Sequence, residues 1–155
     1  MRKTVYDCNS GTAGVVDMTS EEVAAVEASA PSLTEVKTAL RSEIDAAAEI
    51  CRLSFITAGA GQALTYMQKA DQAAAYRAAS SPVEADYPLL MAEVGITGET
   101  IEAVAGVIAA SFLAWQQIGS QIEATRLGAK KAIEAAANVE AAIEAATVTW
   151  PGSGF

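Results

Sequence analysis

Apolar residues recur every three or four positions over long stretches of this chain, and that period predicts helices. The longest such block runs from Thr97 to Thr147. Thr97 is placed to cap it, Glu99 and Glu102 fall in the first turn where the helix dipole favours anions, and no proline follows until Pro151. Its positions Ile101, Val104, Ile108, Phe112, Trp115, Ile118, Ile122, Ala129, Ile133 and Ile143 follow one drifting stripe that needs a partner helix. Unbroken, roughly 50 residues would extend about 70 Å. Gly106, Gly119 and Gly128 each cost up to about 1 kcal/mol against alanine, so a break is expected at Gly119 or Gly128 if anywhere.

The rest of the pattern supplies partners for that block. Lys3 to Asp7 and Gly14 to Asp17 flank an Asn-Ser-Gly stretch and predict a small β-hairpin, too short to bury a face alone. Thr19 with Glu22 is a capping box for a short helix that Pro31 ends, and Ser32 with Glu35 is a second. The helix it opens carries Leu33, Val36, Leu40, Ile44, Ala47, Cys51, Phe55 and Ala58 on one side, down to a break at Gly59 and Gly61. Those glycines have no strand before them and no Lys-Ser or Lys-Thr after them, so a helix break is expected there and not a phosphate cradle. A further helix from Gln62 to about Ala79 would present Leu64, Met67, Ala70, Ala74 and Arg77. Ser81-Pro82 and Tyr87-Pro88 then start a corner helix, PLLMAEVG, closed by Gly95.

The expected fold is therefore mainly α: an elongated antiparallel helical bundle with a short N-terminal β-hairpin arm and an extended C-terminal tail. Residues 1–30 would form the arm and a short helix, 31–147 the bundle and 148–155 the tail. In the bundle, residues 33–79 would run against 98–146.

Composition narrows the function. The chain has 155 residues, 35 of them alanine, with aromatics at 6 % and no histidine. A net charge of −9 opposes nucleic acid and anionic lipid as partners. Without histidine the commonest general base is missing, and Cys8 and Cys51 are far apart and read as two small apolar thiols. MRKTVYDC has no apolar core and does not read as a signal peptide. Residues 103–122 carry no charge and match a membrane span in length, but Gln116, Gln117, Ser120 and Gln121 crowd the second half, and a buried core helix is the expectation. Arg126, Lys130 and Lys131 form a basic cluster among Glu123, Glu134 and Glu140, which reads as a salt-bridged solvent face. Glu43, Asp45 and Glu49 are acids on solvent-facing helix positions, with no clustered aromatics to stack a sugar. Neither a catalytic residue nor a cofactor or metal set stands out.

The segments TVYDCNSGTAGVVDMTSEEVAAVEA, ALRSEIDAAAEICRLSFITAGAGQALTYMQKADQAAAY, SSPVEADYPLLMAEVGITGETIEAVAGVIAA and AWQQIGSQIEATRLGAKKAIEAA, in that order, resemble small alanine-rich proteins of tailed bacteriophages encoded with tail-fibre and baseplate genes. The resemblance implies a structural component of the tail, in the virion after assembly in the host cytoplasm, whose partners are other tail proteins and copies of itself. It brings no catalytic residues with it. An assembly chaperone absent from the finished particle is the alternative, and a tail-borne cell-wall hydrolase a more distant one. Docking residues are expected at the β-prone ends, Tyr6, Val15, Val16, Trp150 and Phe155, and on the long stripe at Phe112 and Trp115.

Overall fold

A computed structural model describes residues 1–7 and 12–152, and the side chains of Tyr6 and Asp7 fall outside that description. The described residues are mainly helical, 68 % of them in helix, with an N-terminal two-stranded hairpin. It divides into two compact units, Met1–Val36 and Lys37–Phe155.

In the first unit, β1 (Arg2–Asp7) pairs antiparallel with β2 (Thr12–Asp17) in a register that sets Arg2 against Asp17 and Tyr6 against Ala13. The expected Asn-Ser-Gly turn lies outside the described residues. Helix α1 (Ser20–Ser29) starts on the Thr19–Glu22 capping box, and the Glu22 carboxylate also takes the Lys3 ammonium from β1. One side chain thus caps the helix and ties the hairpin to it. No residue of α1 is buried, and both faces of β2 are exposed. The Ser32–Glu35 box then opens α2 (Leu33–Leu53), with the Glu35 amide donating to Ser32 Oγ at 3.3 Å and Ser32 N donating to the Glu35 carboxylate at 2.8 Å.

The second unit is built on α5 (Ile101–Ala135), about 52 Å long at 1.5 Å per residue. Helix α2 packs on its C-terminal half and runs against it: Arg41 reaches Glu134, Asp45 reaches Lys130 and Arg126, and Arg52 reaches Glu123. Helix α3 (Ala60–Ala78) packs on the N-terminal half, where Ala73 joins Leu90, Ile101, Val104 and Ala105 in one buried cluster. A 3-10 turn (Glu84–Asp86) and the short α4 (Pro88–Met91) make the expected corner, which plugs Leu90 into that cluster and leaves Gly95 at φ +79°. Tyr76 and Tyr87 meet edge to face beside it, ring centres 5.2 Å apart.

The long block departs from its expected course. Thr100, not Thr97, caps α5 by accepting from Ala103 N, and Thr97 instead donates to the Glu93 carboxylate. The helix passes through Gly106, Gly119 and Gly128 unbroken and stops at Ala135. Asn138 then caps a new helix, α6 (Val139–Ala146), by accepting from Ala141 N at 2.8 Å. The break is a capping event, and no glycine makes it. Glu140, expected near a C-terminus where the dipole opposes it, lies in the first turn of α6 where the dipole favours it.

Two expected faces also change. In α3 the packed residues are Ala70 and Ala73, whereas Leu64 and Met67 point outward, 57 % and 60 % exposed. Alanine lets two backbones approach closely, so the small face turns in and the large one is left out. Helix α2 ends at Leu53, so Phe55 and Ala58 of the expected stripe lie in the connection to α3.

Candidate docking surfaces

The inner stripe of α5 was legible, and its middle is the least covered part. Ile122 is buried, Ala129 and Ile133 are buried against α2 and α6, and Val104 and Ala105 against α3 and α4. Between these two clusters α2 has ended and α3 has just begun. There Phe112 is 37 % exposed and Trp115 half-buried, its ring leaning on Gly119, where an added Cβ would stand 3.4 Å from it. The outer side of α5 is open: Leu113 and Leu127 are exposed. The most apolar 18-residue window of this helix, mean hydropathy 1.4, is only 17 % buried. The expectation of a buried core helix is corrected. α5 packs on one side only and is long and apolar enough to cross a membrane by length and composition.

The basic cluster is salt-bridged as expected, but its main acid was misplaced. Asp45 faces α5, where its carboxylate accepts from Lys130 at 2.5 Å and from Arg126 at 2.6 Å. Arg126 also grips Glu123, at 2.6 and 3.0 Å, and Arg52 reaches Glu123 at 2.9 Å. These bonds hold the Asp45 carboxyl below the ordinary carboxylate range, Lys130 contributing most and Arg126 next, and they hold Glu123 low chiefly through Arg126. The Arg126 guanidinium is held above its usual value by Glu123 first and Asp45 second. Asp45 is therefore committed to two cations, and Glu49 pairs with Arg52 on its own helix. The signal that could have found this was the spacing of Arg126 and Lys130, four apart on the inner side of α5, which needs an acid across from it.

The tail after α6 is extended and folds back on its own helices. Val148 and Trp150 pack on the cluster of Ile44, Ala129 and Ile133 together with Leu40, Ala145 and Ala146. Cys51, a free thiol, donates to the Pro151 carbonyl at 3.5 Å. Gly152 has φ +78°, which favours glycine, and a Cβ there would stand 2.7 Å from Phe55 Cζ, so the Phe55 ring would have to shift. Trp150, expected to anchor a partner, is spent on the chain's own core. Phe155, Cys8 and the Tyr6 side chain lie outside the described residues. Val15 and Val16 on β2 are exposed, at 65 % and 44 %.

Two shallow open clefts border the α2–α5 contact. The larger, about 520 Å³, is lined by Arg41, Leu127, Lys130, Lys131, Glu134 and Ala135. Arg41 and Lys130 are already paired across the helices, so the cleft walls are largely committed to each other.

Fold and surfaces together define a mainly helical protein in which outward apolar side chains of α2, α3 and α5 and both faces of β2 lie uncovered. Set against known proteins, the sequence matches no family model and no curated protein, and the fold matches no solved structure.

Proposed function

We propose that this chain is a structural component of a bacteriophage tail, associated with the fibres or baseplate, which works by protein–protein docking and carries no catalytic centre. The observation that supports docking is the uncovered apolar surface: Ile50, Leu64, Met67, Leu113 and Leu127 are all more than half exposed. Large apolar side chains left out along three of the helices, α2, α3 and α5, mark contact surface more often than bare solvent face. The hairpin adds a second such element. A two-stranded ribbon with both faces exposed completes its burial on an edge or face supplied by a neighbour. The tail setting comes from the segment order that resembles tail-fibre and baseplate proteins. Against the hydrolase reading stands Asp45, whose carboxylate is occupied by Lys130 and Arg126 and so is not free to pair with Glu43 or Glu49 across a cleft.

Quantitative mass spectrometry of purified virions tests the proposal. Stoichiometric amounts in the particle are expected. Abundance in infected-cell lysate with absence from the particle would replace it with the assembly-chaperone reading.

A further inference from the structure

The outward side of α5 has a symmetry that the packing of the single chain does not use. From Glu102 to Lys131 a line of positions flanking the buried stripe, half-buried at Gly106 and Ala109 and exposed at the rest, recurs at steps of 4, 3, 4, 3, 1, 3, 4, 3 and 4, which read the same in both directions about a centre between Gln116 and Gln117. Chemistry follows the spacing. A copy turned end for end about that centre sets Glu102 against Lys131, Gly106 against Leu127 and Leu113 against Ser120. The small residues on one strand of this pattern face the large ones on the other.

We propose that this face binds a second copy of the chain, α5 against α5, antiparallel, with the two-fold axis between Gln116 and Gln117. Three observations carry it. First, among the described residues Glu102 and Lys131 make no ion pair within the chain, although most other charges of α5 do. In the pair they would meet twice, once at each end of the contact. Second, a Cβ on Gly106 would meet nothing within 4 Å in the single chain. A helix-interior glycine costs about 1 kcal/mol against alanine, and a neighbouring backbone at the 8–10 Å of packed helices gives that cost a purpose by making room for Leu127 of the copy. Third, Leu113 and Leu127 stand exposed on this line.

A self-complementary patch is what an isologous interface requires, and a heterologous partner has no need of it. A bilayer is a poorer occupant, because Gln116, Gln117 and Ser120 would lie at the depth of the hydrocarbon. In the paired helices the two glutamines meet across the axis, where their amides donate to and accept from each other and fix the register as a buried polar pair does in a coiled coil. The proposal rests on this face alone and does not depend on the tail setting.

Sedimentation velocity on the full chain from about 1 to about 100 μM, spanning the usual range of modest affinities, should show a monomer–dimer equilibrium. Glu102→Lys should weaken it about tenfold, since two attractive pairs become repulsive, and Lys131→Glu should do the same. The double variant E102K/K131E should return to within about twofold of the original. The two positions are 29 residues apart on one helix, about 43 Å, so recovery cannot arise inside one chain. Gly106→Leu should abolish the dimer while leaving helicity by circular dichroism unchanged. The proposal is overturned by a chain that stays monomeric throughout, by a dimer indifferent to Gly106→Leu, by a double charge swap that fails to recover, or by insertion of α5 into phosphatidylcholine vesicles in place of self-association.

Discussion

Asp45 shows how much a single residue's role depends on what faces it. In sequence it is one of three acids in seven positions and reads as solvent-facing. In the folded unit it sits opposite Arg126 and Lys130 and joins α2 to α5 by charge. Its consequence is a pH dependence of known sign. The folded-state pKa values of Asp45 and Glu123 are lowered, so both bind protons less tightly in the folded than in the unfolded chain. The stabilisation is fully present above the ordinary carboxylate value of about 4 and is lost as pH falls through the lower folded values. Thermal melts should show Tm dropping below about pH 4, and Asp45→Asn should make that drop shallower. Equal slopes in the two proteins would remove Asp45 from this role.

At the scale of elements, local capping chemistry decided boundaries more than glycine content did. The capping boxes at Thr19 and Ser32 were legible because both partners are four residues of contiguous sequence and need nothing from the fold. Asn138 carries the same kind of signal, but the alanine-rich flanks keep the helical period running through it and mask the boundary. Asn138→Ala should cost about 1 kcal/mol by urea unfolding, with the loss confined to the α5–α6 junction by hydrogen exchange. A neutral result would mean that packing of Ala142 and Ala145 alone sets the break. The glycines of α5 do not break it: packing of α3 and α4 on its N-terminal half and of α2 and α6 on its C-terminal half outweighs a propensity cost of about 1 kcal/mol each.

For the molecule as a whole, the apolar surface is divided unevenly between inside and outside. Among the described residues twelve apolar ones are buried, six of them alanine, while the larger Ile50, Leu64, Met67 and Leu113 face out. With so modest a core, the tail matters. Val148 and Trp150 close the cluster at Ile44, so the segment after α6 belongs to the fold and is not a separable arm. Deleting Thr149 to Phe155, or replacing Trp150 with alanine, should lower stability by about 2 kcal/mol, which is a Tm shift of roughly 5 °C for a chain of this size. A melting curve unchanged by either alteration would return the tail to the status of a free arm.

What the sequence determined by itself was whatever short-range chemistry controls: the helical period, the presence of the hairpin, the capping boxes, the corner at Tyr87-Pro88 and the inner stripe of α5 from Ile101 to Ile133. Each depends on residues a few positions apart. Tertiary structure decided which of several apolar faces turned inward. In alanine-rich helices the faces differ little in hydrophobicity, and backbone approach, not side-chain size, selects the buried one. That is why Ala70 and Ala73 are inside and Leu64 and Met67 outside. It also decided the partners of charges far apart in sequence, such as Asp45 with Lys130, and the return of Trp150 to Ile44, because such pairings exist only once α2 has been laid against α5.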